Sequence, residues 1–134
     1  MPNDAVSVLS IRVEGVPISQ GSMVASPSGK VHHSSGKLAS WRKTIGWAAK
    51  AAMQTQPTGM PVCVFLHFTV PGDPSKPATR PPDLDKLSRA VLDALTAIVW
   101  LNDAQVTQLS AVKVYGDSGC VTIDVNEEVG WPAP

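Results

Sequence analysis

The sequence predicts a fold of the α/β (α+β) class: a single compact domain in which two helices pack on a mixed β-sheet. Three observations support this prediction. The length of 134 residues suits one domain, several short segments are β-rich, and two longer segments repeat their apolar residues at helical spacing. Apolar residues make up 43% of the chain and charged residues 16%, values typical of a globular protein with a buried core. The predicted order of elements is β-α-β-α-β-β.

The first half of the chain predicts a strand, a long loop and a helix. Apolar and polar residues alternate over residues 6–13, which indicates a strand. Residues 15–36 are rich in Ser, Gly and Pro and predict a loop, and loops of this length in a small domain often carry function. Residues 38–53 have helical spacing, with Ser40 as a candidate cap near the start.

The second half predicts a buried strand, a second helix and two final strands. Residues 62–70 form a β-rich run between prolines, and a stiff proline-rich segment follows it. The second helix has an apolar stripe made of Leu84, Leu87, Val91, Leu95 and Ile98. Residues 105–115 and 120–125 read as strands joined in a hairpin by the turn at 116–119, and residues 130–134 read as a tail.

The formal net charge of zero hides a separation of signs along the chain. Residues 15–72 contain no Asp or Glu, whereas residues 114–134 contain no Lys or Arg. The cations of the first segment are Lys30, Lys37, Arg42, Lys43 and Lys50. A balanced chain with separated signs can present a basic face, so this segment is a candidate surface for an anionic partner.

The sequence also bears on compartment and redox state. It contains no apolar run long enough to span a bilayer and no signal-peptide pattern at its start, so we expect a soluble, cytoplasmic protein without membrane contact. Cys63 and Cys120 stand singly in apolar segments, with no Cys or His at ligand spacing. We expect two buried thiols rather than a zinc site.

The most informative feature is a set of aspartates around the second helix. Asp83 and Asp85 follow two prolines at the start of that helix, and Asp103 lies beyond its end beside Asn102. Clustered carboxylates of this kind favour a hard divalent cation, Mg²⁺ or Mn²⁺, over zinc. Such a site is suited to phosphodiester hydrolysis.

A purely structural explanation of the same acids is also open. Asp83 is well placed to cap the helix, and Asp85 in the first turn complements the helix dipole. Arg89 lies four residues after Asp85 and four before Asp93, a spacing that predicts ordinary surface ion pairs.

The motif around these residues resembles that of a known nuclease family. Asp-Leu-Asp-x-Leu-x-[Lys/Arg]-x-x-Leu-Asp-Ala-Leu, followed by Asn-Asp-x-Gln-Val, is similar to the RusA family of Holliday junction resolvases, which is common in bacteria and their phages. The resemblance is close over residues 80–109 and looser over residues 15–20 and the basic helix. It implies a homodimeric, Mg²⁺-dependent endonuclease that nicks four-way DNA junctions in recombination and repair. By position, the catalytic carboxylates of the family fall on Asp83, Asp85 and Asp103.

The sequence departs from the family pattern at four positions. Lys86 stands where Asn is usual, and Arg89 stands where the family has its catalytic lysine. Asn102 replaces the first acid of an acidic pair, and Gln20 replaces a basic residue. Arginine keeps the positive charge but does not give up its proton near neutral pH, so a role for Arg89 would be electrostatic. These changes motivate an alternative, a catalytically impaired junction-binding protein of the same fold.

We therefore expect Asp83, Asp85 and Asp103 to hold the metal, with Arg89 or Lys86 against the scissile phosphate. The DNA-binding residues that we expect to contact the backbone of the junction arms are Lys30, Lys37, Arg42, Lys43 and Lys50. A helix that reached Ile98 would carry the chain roughly 20 Å from Asp85, at about 1.5 Å per residue. Asp103 could then meet the other carboxylates only if the helix were shorter, or if Asp103 completed the site of a second subunit. Cleavage preference and host or phage origin stay open at this point.

Overall fold

The computed structural model describes residues 4–20, 23–25, 31–33 and 35–129. In chain order the elements are β1 (Asp4–Glu14), β2 (Met23–Ala25), β3 (Val31–His33), α1 (Ser35–Ala52), β4 (Val62–Pro71), α2 (Leu84–Leu95), β5 (Val106–Gly116) and β6 (Cys120–Val129). A 3-10 turn, Asp103–Gln105, precedes β5. The main sheet and its helices follow the predicted order, and a short β2–β3 pair is added to it.

The main sheet is mixed, as predicted, with the strand order β1-β6-β4-β5. β6 pairs antiparallel with both β1 and β4, whereas β4 and β5 run parallel. The predicted β5–β6 hairpin is wrong, because β4 lies between these two strands. The turn at 116–119 instead carries the chain across the end of β4, a step of about 10 Å for two strand spacings. Gly72 N–H donates to the Gly116 carbonyl at 3.1 Å where the chain crosses.

The hydrophobic core lies on one face of this sheet. Val64, Leu66 and Phe68 alternate along β4 with exposed residues and are at most 3% exposed. In register with them on β6 are the equally buried Val125, Ile123 and Val121. Ile45 of α1 and Leu87 of α2 are fully buried in the same cluster. The apolar side chains at every second position of the strands therefore pack against the apolar faces of α1 and α2 in one layer.

The segment expected to be a long loop, 15–36, contains regular structure. β2 and β3 pair antiparallel within it, and α1 already begins at Ser35. Ser40 is therefore not a cap but lies inside α1, where its carbonyl accepts a 2.9 Å hydrogen bond from Thr44 Oγ1. Strands of three residues are too short to show an apolar period, which is why the pattern predicted only a loop.

Both cysteines are buried free thiols, as predicted. Among the described residues, no helix is both long and apolar enough to cross a bilayer. The predicted tail at 130–134 and the candidate DNA contact Lys30 lie outside the described residues.

Candidate active site

The entry to α2 is fixed by a lysine from the neighbouring strand. Lys113 Nζ on β5 donates to the carbonyl oxygens of Arg80 at 2.9 Å and Pro82 at 2.7 Å. Asp83 follows as the N-cap with an extended backbone, as predicted, but its side chain makes no capping hydrogen bond. Its carboxylate lies 3.5 Å from Lys86 Nζ, and both side chains are about half exposed. The proline-rich segment is thus held to the sheet just before the first aspartates.

A groove between α2 and β5 gathers most of the other candidate residues, and we call it the α2–β5 groove. Its volume is about 640 Å³. Its polar lining consists of three carboxylates, one guanidinium and one hydroxyl, from Asp85, Asp93, Asp103, Arg89 and Ser88. Its apolar lining comes from Leu84, Leu92, Leu109 and Ala111. Oxygen donors and a cation therefore share one open concave surface, and Asp83 lies outside it.

Asp103 reaches this groove because α2 is shorter than its apolar stripe predicts. The helix ends at Leu95, Thr96 has an extended backbone, and Ala97 adopts a positive φ of 73°. The Ala97 N–H donates to the Trp100 carbonyl at 2.7 Å and closes a tight turn. The predicted helical position of Ile98 is therefore wrong. The chain reverses after one helix of twelve residues, so Asp85 and Asp103 line the same groove within one chain.

The carboxylate of Asp103 is oriented by a chain of hydrogen bonds that ends in the core. Thr96 Oγ1 donates to Asp103 Oδ1. Trp100, which is fully buried, donates from its indole Nε1 to Thr96 Oγ1 at 3.0 Å. The threonine hydroxyl also lies 2.9 Å from the carbonyl of Leu92, but it has one proton, and a carboxylate is the stronger acceptor. The hydrogen bonds from Trp100 to Thr96 and from Thr96 to Asp103 thus fix the position of one carboxylate oxygen.

The turn that carries Asp103 is held by Gln105, which uses both ends of its side-chain amide. Gln105 Oε1 accepts hydrogen bonds from the backbone N–H groups of Leu101 at 2.9 Å and Asn102 at 2.8 Å. Gln105 Nε2 donates to the carbonyls of Thr58 at 2.8 Å and Met60 at 3.0 Å. Asn102 Oδ1 completes a capping box. This accounts physically for the Asn-Asp-x-Gln pattern: the outer two residues build the turn and leave the aspartate exposed.

The donor chemistry of the groove fits a hard divalent cation. Asp85 and Asp103 supply carboxylate oxygens, and Mg²⁺ is commonly bound through one or two carboxylates together with water and substrate phosphate. Within the described ranges, however, no group of three or more His, Cys, Asp or Glu side chains is close enough to hold a metal. The predicted trio is not gathered, because Asp83 lies off the groove beside Lys86.

The two candidate cations differ in position. Arg89 lines the groove, whereas Lys86 does not and instead faces Asp83. The ion pairs expected between Arg89 and its neighbours Asp85 and Asp93 do not form in the part of the chain that the structure describes. The exposed guanidinium of Arg89 is therefore available to an anion entering the groove.

The candidate DNA contacts on α1 also differ from one another. Lys37, Lys43 and Lys50 are exposed. Arg42 is partly buried and donates from Nη2 to Gln20 Oε1 at 3.3 Å. The Gln20 N–H in turn donates to the Lys86 carbonyl at 3.1 Å, so Arg42 helps to join α1 to the start of α2.

Sequence reasoning missed several residues of the site. The sequence predicts only a surface ion pair for Asp93, although its position eight residues after Asp85 places both on one helical face. The polar partners Lys113, Thr96 and Trp100 carry no local motif. Their roles depend on strand pairing and on the turn after α2, which no short sequence pattern encodes.

The motif, the groove and the turn all lie within one matched segment. Residues 14–126 match the sequence profile of the family described as endodeoxyribonuclease RusA. The chain belongs to this family. The match covers most of the chain and the whole segment from Asp83 to Asp103. Membership of the RusA family implies a nuclease of the Holliday junction resolvase type. No curated protein matches the sequence significantly.

Proposed function

We propose that this RusA-family chain is an Mg²⁺-dependent endodeoxyribonuclease that resolves four-way DNA junctions as a homodimer. The observation that carries the proposal is the α2–β5 groove, where Asp85, Asp103 and Arg89 line one surface of a single chain. The family match supports the nuclease class. The acid-free basic segment supports an anionic partner.

In this proposal Asp85 and Asp103 would hold the cation, with Asp83 as a further candidate at the edge of the site. When bound, Mg²⁺ supplies charge neutralisation at the phosphate and lowers the pKa of water. Mn²⁺ would serve the same carboxylates. Arg89 would stabilise charge on the non-bridging phosphate oxygens, a role that suits a planar, permanently charged side chain. Lys86 would be secondary, since Asp83 already lies beside its ammonium group.

The exposed lysines of α1 would bind the DNA arms without reading sequence, because contacts to phosphates position a protein and carry no base information. Lys37, Lys43 and Lys50 suit this role, and Lys30 belongs to the same basic segment. Arg42 would act mainly through its bond to Gln20. Two equivalent active sites in a homodimer would match the two equivalent strands that must be nicked in a symmetric junction.

The test is cleavage of a synthetic four-way junction. Wild-type protein is expected to nick two opposing strands with Mg²⁺ and none with EDTA. Asp85→Asn is expected to remove nicking while junction binding is retained. Asp117→Asn is a matched control, because Asp117 is an exposed aspartate in the turn beyond β5, and it should cut normally. Junction binding by the wild-type protein without metal-dependent nicking would reject the nuclease proposal.

That rejecting result would support a second function, a catalytically impaired protein that binds junctions. One observation favours it: Asp83 faces Lys86, where the family usually has asparagine, and is not gathered with Asp85 and Asp103. Lys86→Asn separates the two proposals. If Lys86 impairs the site, the substitution should create or raise nicking. If the wild-type protein is already an active enzyme, the substitution should change its nicking little.

A further inference from the structure

One tryptophan of α1 is largely exposed to solvent. Trp47 is 73% exposed, whereas Trp41, six residues earlier, is 5% exposed and Trp100 is fully buried. A large aromatic side chain in water forgoes the burial that normally accompanies it, so an exposed tryptophan of this kind is a candidate contact residue. Neither the core nor the α2–β5 groove uses it.

The surroundings of Trp47 indicate an anionic partner. Lys43 lies four residues before it and Lys50 three residues after it, so all three project from one face of the helix. Both lysines are exposed. α1 contains no Asp or Glu over its whole length, Ser35–Ala52. The face therefore presents an aromatic ring between two positive charges with no acid on the helix to neutralise them.

We propose that the ring of Trp47 is a platform on which an unpaired or unstacked DNA base stacks, and that Lys43 and Lys50 bind the flanking phosphates. This inference rests on the proposed function, because a branched junction is the substrate that offers such bases. Stacking on an aromatic ring is available to any base, so the platform would recognise branching rather than sequence. Fully paired duplex offers only its phosphates to the same face.

A second copy of the chain is a poorer occupant of this face. A symmetric interface would place the same patch of each subunit against itself. Lys43 and Lys50 would then meet the lysines of the other copy and lose water without gaining a negative partner. Burial of unpaired charge is costly, and like charges repel. The phosphate backbone of DNA supplies the missing negative charge.

The platform also lies at the end of the molecule that carries Asp103. Gly46, next to Trp47, is buried where α1 packs on α2, and a Cβ there would come within 3.3 Å of Ile98 Cδ1. Lys50 shares a cavity of about 570 Å³ with Ala97 and Ile98, the residues directly after Thr96. Because Thr96 orients Asp103, a DNA strand bound by Lys50 would pass beside the segment 96–98, which positions the Asp103 carboxylate.

Binding can be measured in EDTA, so that cleavage does not interfere, with a four-way junction, a duplex containing an unpaired thymine bubble, and a fully paired duplex. Trp47→Ala is expected to weaken binding of the junction and bubble about tenfold, and of the duplex less than about twofold. Trp47→Phe should retain most of the affinity. Lys43→Gln and Lys50→Gln should weaken all three DNAs and lower the salt dependence by about one unit each.

Spectroscopy provides a second readout. Bubble DNA should quench the exposed Trp47 fluorescence more strongly than duplex does, and this difference should disappear in Trp47→Phe. Alanine is a better helix former than tryptophan, so Trp47→Ala should keep its helix content by circular dichroism. An equal loss of affinity for all three DNAs, or no loss, would overturn the platform. A loss explained by a changed oligomeric state in sedimentation would assign the face to self-association instead.

These outcomes are separable from failure of the nuclease proposal. Trp47-dependent binding of branched DNA without Mg²⁺-dependent nicking would reject the nuclease and keep the platform. Normal nicking and normal junction affinity in Trp47→Ala would reject the platform and keep the nuclease. If the wild-type protein does not bind branched DNA at all, both proposals are wrong.

Discussion

The ammonium of Lys113 on β5 donates a 2.7 Å hydrogen bond to the carbonyl oxygen of Pro82, the residue immediately before Asp83. The same ammonium binds the carbonyl of Arg80 at 2.9 Å. Proline cannot donate a backbone hydrogen bond, so a segment rich in proline has few ways to attach to a sheet. A charged side chain that bonds to its carbonyls provides that attachment, and it sets where the following aspartates begin.

Replacing Lys113 with Met keeps most of the apolar stem of the side chain and removes both hydrogen bonds. We expect the free energy of unfolding to fall by about 1–3 kcal/mol, since bonds to charged groups are worth about 1.5–3 kcal/mol each and water replaces part of them. Junction cleavage should fall at least about tenfold in kcat, because the start of α2 shifts. Lys76→Met is the matched control: it removes an exposed lysine of the same segment and should change neither quantity strongly. Equal behaviour of the two variants would contradict the attachment role.

The hydroxyl of Thr96 links the buried indole of Trp100 to the Asp103 carboxylate. Thr96→Val keeps the shape of the side chain and removes that hydroxyl, leaving the buried Trp100 Nε1 without its acceptor. We expect a loss of about 1–3 kcal/mol in stability. We also expect a fall in kcat for cleavage with little change in KM, because the proposed DNA contacts lie on α1 and not at this carboxylate.

Thr96→Ser is the rescue variant for this prediction. It keeps the hydroxyl and should restore most of kcat, even if loss of the methyl group lowers stability somewhat. If Thr96→Ser and Thr96→Val lost activity to the same extent, packing rather than the hydrogen bond would be responsible, and the orienting role would be wrong.

The sequence predicts local periodicity well and three-dimensional neighbours poorly. The strands and helices of the main sheet were found because burial on one face imposes a period of two or 3.6 residues. The position of β4 between β5 and β6 leaves no periodic pattern in the sequence. A short turn suits both a hairpin and a connection that crosses the end of a third strand. The end of α2 was missed for a related reason. Ile98 continues the apolar stripe because it packs against the core from within the turn, not because it is helical.

The same distinction applies to the site. The sequence makes Asp85 and Asp103 candidates because one follows a proline-stiffened segment and the other lies in a short polar interruption between apolar residues, and both line the groove. Asp83 carried the same signal, yet it lies off the groove beside Lys86. Its direction depends on one rotamer and one neighbouring charge, and residue spacing does not encode these.

Gln105 holds the Asp103 turn through four hydrogen bonds, to two N–H groups and two carbonyls. Gln105→Met keeps the length of the side chain and leaves all four groups without this partner. We expect the free energy of unfolding to fall by about 2–4 kcal/mol, since water can replace part of these bonds in a turn whose residues 101–104 are exposed. Gln108→Met is the control. Gln108 is exposed, and among the described residues its side-chain oxygen only lies 3.5 Å from Cys63 Sγ, whose single proton is donated to Glu128. Chemical denaturation of both variants measures the difference, and similar midpoints would refute the bracing role of Gln105.

The environment of the Cys63 thiol predicts a loss in the free energy of unfolding at alkaline pH. Burial, then the 2.9 Å hydrogen bond to Glu128 and its negative charge, raise the pKa of the Cys63 thiol from 9.0 to about 11. Because the pKa is raised in the folded state, the protonated thiol contributes fully to the free energy of unfolding below pH 9. This contribution is lost as the pH rises towards 11. The loss should reach at most about 2–3 kcal/mol, at about 1.4 kcal/mol per pKa unit.

Urea denaturation at several pH values between 8 and about 11 tests this for the wild-type protein and two variants. Cys63→Ser keeps a donor for Glu128 but does not titrate in this range, so its stability should fall less with pH than that of the wild type. Cys120→Ser removes the other buried thiol and should keep the wild-type slope. If Cys63→Ser and the wild type lost stability in parallel, the alkaline loss would arise from other groups, such as lysines, and the Cys63–Glu128 contact would not be its cause.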